Sequence, residues 1–279
     1  MPHLVKWQEE LGPFGLTIVA PHVQKAESEA VAAKSKALRI NFTVTASGFL
    51  QGGPTTISMP HSFVFDHTGR KIYEGSPDAK GLSKIRLAVG QALVDRTGKE
   101  TFSKAVQPLI DALKKGTSPA GILQRAIVLQ KTDADAKLLV EAMTRDGKTQ
   151  LEDAADDSDK VAVYNLASRL STTYKGTPVG AKAADLFAKL KADKGVQMEL
   201  KARPKLEAIQ KIDASIEKAA TDKSIKEFDP TSKETQKTFA NQIRQIKTAV
   251  TEMRTSMAAA NATAEAMAIA EKYGIEFKK

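Results

Sequence analysis

The sequence predicts an α/β segment over residues 1–95, then an all-α region that ends in a long helical hairpin. Three observations carry this. Short β-branched and aromatic runs occur at Leu16-Thr17-Ile18-Val19-Ala20, Phe42-Thr43-Val44, Ser62-Phe63-Val64-Phe65 and Lys71-Ile72-Tyr73-Glu74. Such residues fit a pleated, half-buried surface. No convincing strand pattern follows residue 95. Near the carboxyl end, Phe239, Ile243, Ile246, Val250, Met253 and Met257 alternate spacings of four and three, the repeat that lines one seam of a helix. The expected domains are 1–95, a helical 96–195 and a helical hairpin or coiled coil over 196–279.

Each element has a local reason. Met1 to Leu11 carries Leu4, Val5, Trp7 and Leu11 and reads as helix, stopped by Gly12-Pro13. Leu16–Ala20 reads as a buried parallel strand. Residues 25–38 read as helix, Phe42-Thr43-Val44 as a short strand, and Gly48 to Ser58 as a loop rich in Gly, Pro, Thr and Ser. Asp66-His67-Thr68-Gly69 lies between two β-prone runs, a hairpin signal. Leu82, Ile85, Val89 and Leu93 share one helix face.

Beyond residue 95, Phe102-Ser103-Lys104-Ala105-Val106 opens a helix through Lys115, and Gly116 stops it. Ser118-Pro119 starts the next, with Pro in the first turn. Further helices are expected at 133–146, 159–174 and 178–193. From near Thr231 the seam, continued by Ala260, Ala264 and Met267, predicts one helix of ~40 residues, ~60 Å long. Residues 199–219, with Leu206, Ile209, Ile212 and Ile216, are its natural antiparallel partner.

Composition excludes several classes. The chain has 279 residues, 42% hydrophobic and 27% charged, which argues against wholesale disorder. Aromatics are only 5%. Abundant alanine and lysine favour helix. With no cysteine the chain makes no disulfide, no catalytic thiolate and no Cys-ligated zinc site. The longest apolar stretch, around Gly15–Ala20, falls far short of the ~20 residues of a membrane span. No signal-peptide pattern opens the sequence. The net charge of +9 raises the expectation of anionic partners. However, lysines alternate with acids, as in Lys226-Glu227, Lys233-Glu234 and Glu271-Lys272. That pattern reads as a solvated helix surface and not as a nucleic-acid site.

Met1-Pro2-His3-Leu4, the Gly15–Ala20 strand and the block from Met59-Pro60-His61 to Gly75 together resemble the second half of a thioredoxin-like domain of the TlpA/redoxin family. The resemblance covers residues 1–95. It implies an incomplete thioredoxin-like domain, without the first strand and the C-x-x-C, in which one sheet edge lacks its neighbour and the segment is marginal by itself. It implies thiol-disulfide oxidoreductase or peroxidase ancestry, with the family's cysteines lying before Met1. It further implies a cis Pro60, with Met59, Pro60 and His61 forming a groove that holds an extended substrate chain as an added strand. If Met1 is the true start the chain is a cytoplasmic, cysteine-free protein; if a C-x-x-C segment precedes it, an extracytoplasmic location follows.

Three readings stay open: a truncated redoxin, a cysteine-free peptide- or protein-binding module, and a helical scaffold, including a homodimer joined through 231–271. No catalytic residue, cofactor or metal ligand set is assigned. His3, His22, His61 and His67 show no H-x-x-x-H or H-E-x-x-H spacing. Asp133-Ala134-Asp135 lacks the glycine of a calcium loop, and Asp156-Asp157 reads as a solvated linker. The segment from Tyr164 through Tyr174-Lys175-Gly176-Thr177-Pro178 to Leu186 weakly resembles one tetratricopeptide-like helix pair.

Overall fold

The computed structural model describes residues 2–21, 28, 31, 32, 35, 40–45, 61–222 and 228–277. The chain is 69% helical, with a few small sheets of two strands each. It divides into two compact units, Met1–Phe187 and Ala188–Lys279.

The first unit opens with α1 (Pro2–Leu11), followed by a 3-10 turn over Gly12–Phe14. Pro13 cannot continue an α-helix, and Gly15 ends the turn at φ 101°, a left-handed conformation that glycine adopts freely. β1 (Val19–Pro21) pairs in parallel with β2 (Thr43–Thr45). β3 (Ser62–Phe65) pairs antiparallel with β4 (Lys71–Gly75). The Asp66 carboxylate shapes the hairpin turn by accepting from the Thr68 amide (3.0 Å), the Thr68 hydroxyl (2.6 Å) and the Arg70 amide (3.1 Å).

One strand expectation is corrected. The Leu16–Ala20 run does not form a buried strand: pairing covers only Val19–Pro21, and Val19 is 56% exposed. A two-stranded ribbon has little face to bury. Leu16 and Ile18 instead pack partly against the helical core, held by Gln8, whose amide donates to the Leu16 carbonyl and accepts from the Ile18 amide. The helix expected over 25–38 lies mostly outside the described residues.

Five helices complete this unit: α2 (Ala79–Asp95), α3 (Gln107–Lys114), α4 (Pro119–Leu129), α5 (Ala134–Asp153) and α6 (Lys160–Thr173). α7 (Pro178–Ala192) starts within it. Helix starts follow side-chain capping: Asp78, Asp133 and Asp159 each accept backbone amides of the first turn. Helix α3 begins later than the expected Phe102. Ser103 is held at the start of α5, its hydroxyl on Asp133 (2.6 Å) and its amide on Asp135 (2.7 Å). Its carbonyl then receives the Val106 and Gln107 amides in a turn, a local alternative to helix.

A single apolar cluster joins both sides of residue 95. It includes Trp7, Leu11 and Phe14 together with Leu93, Leu109, Ile110, Leu123, Leu139, Met143 and Tyr174. Gly90 permits the closest approach of α2 to α3: a Cβ there would lie 2.1 Å from the Leu113 carbonyl oxygen.

Tyr174 is wholly buried where the amino-terminal turn meets the helices. Its hydroxyl donates to the Pro13 carbonyl, and its ring meets Phe14 edge-on at 5.9 Å. Two glycines make room for it. A Cβ on Gly147 would sit 2.0 Å from Tyr174 Cε2, and one on Gly180 would sit 2.1 Å from the Tyr174 carbonyl oxygen. Thr177 closes the loop, its hydroxyl donating to the Tyr174 carbonyl (2.8 Å) and accepting from the Gly180 amide (3.1 Å). Gln150 donates to the Gly12 carbonyl at 3.0 Å. Arg96 pairs with Asp146, and Arg86 binds both oxygens of Glu10 at 2.9 Å.

The second unit packs three longer helices and one short one, which corrects the expected hairpin. Its helices are α8 (Lys194–Asp222), the short α9 (Lys233–Thr238), α10 (Ala240–Ser256) and α11 (Asn261–Lys272). The expected ~40-residue helix is interrupted at Phe239 and again over 257–260, where Met257 takes φ −141° and Ala260 is extended. The Thr263 hydroxyl stabilises the second break by donating to the Met257 carbonyl at 2.7 Å. The break resets the helical phase. Phe239 through Met257 and Ala260 are buried as the seam predicts, but Ala264 is exposed, and Ala262, Ala266 and Ala270 face inward.

Leu206, Ile209 and Ile216 of α8 fill the same core. The seam is therefore occupied within one chain. Polar ties fix the register. Lys272 donates to Asp213 and Glu217, and the Tyr273 hydroxyl to Asp213, each at 2.6 Å. Glu199 of α8 accepts the Ala262 amide at the start of α11 (3.3 Å).

Two predictions follow from this packing. Gly147→Ala forces a methyl into the Tyr174 ring and is expected to cost about 1–3 kcal/mol. Tyr174→Phe leaves the Pro13 carbonyl unpaired and is expected to cost about 1–3 kcal/mol. Urea unfolding followed by circular dichroism reads both; losses below about 0.5 kcal/mol for each contradict the packing described.

A further prediction concerns acid. Asp78 is held below the ordinary carboxylate range chiefly by the Gly81 amide, Asp133 chiefly by the Ser103 hydroxyl, and Asp135 chiefly by the Lys99 ammonium. A folded pKa below the unfolded value of about 3.9 contributes stability above that pH and loses it as pH falls through the folded value. Melting temperature should therefore drop below about pH 4, and Asp133→Asn with Asp135→Asn should flatten that acid limb. An unchanged slope in the double variant would count against these contacts.

Candidate functional site

The expected groove is Met59, Pro60 and His61. Met59 and Pro60 lie outside the described residues. His61 is described, and it stands immediately before β3. Its side chain is mostly buried, with Nε2 3.5 Å from Glu74 Oε1 on β4. That spacing brings the two groups together as an ion pair if His61 is protonated, but without hydrogen-bond geometry, and Nε2 has no hydrogen-bond partner among the described residues. The imidazole also packs against the Phe63 ring at 5.0 Å. Glu74 is held below the ordinary carboxylate range, first by the Lys71 ammonium at 2.6 Å and then by His61.

The strand after His61 has a one-sided environment. Among the described residues β3 pairs with β4 and with no other strand. Ser62 anchors its start by donating to the Gly75 carbonyl at 2.9 Å. Its end carries Phe65, which is 49% exposed. An unpaired strand edge presents alternating amides and carbonyls that can receive an extended chain. In chemical terms the arrangement offers hydrogen-bonding backbone, an aromatic surface and one imidazole. With no cysteine in the chain, it offers no thiolate.

The remaining expected residues have structural positions. His3 stacks edge-on against Trp7 at 5.3 Å. His67 in the hairpin turn meets Asp95 of α2 at 3.0 Å. His22 lies outside the described residues. Among the described residues no group of three His, Asp or Glu side chains could hold a metal ion. Asp133 caps α5, the Asp135 carboxylate in its first turn accepts from Ser103 and Lys99, and Asp156-Asp157 lie exposed in and after a 3-10 turn. No described helix is long and apolar enough to cross a membrane.

The most strongly shifted side chain of the first unit is Tyr174. Burial pushes its phenol well above the ordinary tyrosine value, and Asp146 adds to the shift. Arg169 is lowered by desolvation. A buried phenol that donates to a backbone carbonyl is a packing element, not an acid. Gly147, inside an otherwise helical stretch, was the available sequence signal for this close approach.

Family models, curated proteins and solved structures give no significant match to this chain.

Proposed function

We propose that the chain is a thioredoxin-like, redoxin-related module that binds extended peptide or protein segments and carries out no thiol chemistry with its own residues. The resemblance of Met1–Leu4, Gly15–Ala20 and Met59–Gly75 to that family supplies the ancestry. The absence of cysteine removes the dithiol reaction from these residues. The observation that carries the binding reading is β3, which directly follows the Met59-Pro60-His61 segment and has one strand partner among the described residues. A chain laid along its free edge gains main-chain hydrogen bonds, and Phe65 offers it an apolar contact. The helical body contributes by fixing α1 and its following turn through Tyr174 and Gln150.

Titration of the labelled protein with an extended, proline-containing peptide, followed by amide chemical shifts, tests this. The expected result is a set of perturbations centred on 61–65, weakened by Phe65→Ser. Perturbations confined to other elements, or none at saturating peptide, would overturn the strand-edge reading.

A further inference from the structure

A second surface lies between the hairpin and the helices beside it. There β4, α2 and α3 enclose an open cleft of about 520 Å³, a size suited to a short peptide side-chain cluster. Its floor is apolar, made of Ile72, Leu87 and Ala88. Its rim is cationic, with Arg70 and Lys71 from the hairpin, Lys84 from α2 and Lys114 from α3.

Two of the four rim cations, Arg70 and Lys71, stand beside a carboxylate, and two do not. Among the described residues Lys84 and Lys114 have no carboxylate partner, and both are exposed. Arg70 stands 3.4 Å from Asp66, yet its side chain is 79% exposed and its guanidinium stays open to a ligand. Lys71 pairs with Glu74. Asp66 is the one carboxylate among the described residues of the lining. It is turned into the hairpin loop, where the Thr68 and Arg70 amides and the Thr68 hydroxyl occupy it. Cations converging over an apolar floor attract an anion with an apolar part. Among the described residues no Phe, Tyr or Trp lines the cleft, and His67, the one ring there, is held on Asp95 at 3.0 Å, so the cleft lacks the aromatic side chains on which bases of single-stranded nucleic acid stack.

We propose that this cleft binds an acidic peptide segment, its carboxylates on Lys84, Lys114 and Arg70 and one apolar side chain on the Ile72–Leu87 floor. The assignment goes beyond the strand-edge reading and uses a different face of the hairpin.

The test uses a fluorescein-labelled peptide of alternating acidic pairs and leucines, with fluorescence anisotropy as readout on the full chain. Oligoglutamate and oligothymidylate of equal charge serve as competitors. Binding is expected at about 0.15 M salt and to weaken as salt rises. Lys84→Glu with Lys114→Glu should lower affinity by about tenfold or more. Lys137→Glu with Lys182→Glu, also exposed and in the same unit, should leave it unchanged, as should Phe65→Ser. Circular dichroism confirms that each variant is folded. Leu87→Ser should weaken the leucine-bearing peptide toward the affinity of oligoglutamate. The proposal is overturned by absent peptide binding, by equal loss in both lysine pairs, or by oligothymidylate binding as tightly as the peptide.

Discussion

The first unit depends on one aromatic ring placed where two helices leave no room for a side chain. The Tyr174 ring fills the gap left by Gly147, and Gly180 leaves room for the Tyr174 carbonyl. From there it reaches the Pro13 carbonyl and the Phe14 ring. The contact joins residues 161 positions apart in sequence. It converts a helical turn at the start of the chain into part of a helical core. A buried hydroxyl with a partner contributes modestly, whereas an orphaned carbonyl at the same place costs more. Geometry therefore restricts what can occupy each of these positions more tightly than hydrophobicity alone would.

This constraint explains how a segment with so little sheet persists. The two described ribbons bury no strand residue fully, and a lone two-stranded ribbon is marginal in water. Stability in this unit comes instead from helices. Trp7, Leu11 and Phe14 contribute to a core built mainly by α2 to α6. The Arg86–Glu10 pair ties α1 to α2. The strand edge and the basic cleft are thereby displayed on an anchored hairpin, since α2 packs on β4. In the second unit the same economy appears with alanine: Ala262, Ala266 and Ala270 are fully buried. Small side chains let α11 lie close to its neighbours.

Much of the element order was legible because it rests on local chemistry. Gly12-Pro13, Asp66 through Gly69, Ser118-Pro119 and Thr177-Pro178 mark their turns by backbone restriction, and the elements form around them. The inward positions of α10 followed from the spacing of four and three. What was not legible depended on tertiary partners. Nothing local announces the break at 257–260, because Met257-Ala258-Ala259-Ala260 are good helix formers. The chain turns there because α11 gains a partner in α8, and Glu199 supplies a cap from another helix. Likewise Phe102-Ser103-Lys104 carries a helical pattern, yet Ser103 is drawn onto Asp133 and Asp135. Of the candidate site, the hairpin and His61 could be read from sequence. The cleft could not, since Arg70, Lys71, Lys84 and Lys114 converge only when the hairpin lies beside α2 and α3.

The most direct measurement of the central claim is native-state hydrogen exchange of the intact chain. If Tyr174 makes the amino-terminal turn part of the helical core, the Gly15 and Leu16 amides, bonded to the Gly12 and Leu11 carbonyls, open together with those of α5. Their exchange would then respond to denaturant with the same slope as the α5 amides. Exchange of Gly15 and Leu16 orders of magnitude faster than α5, and insensitive to denaturant, would show a start that frays independently and would contradict the account.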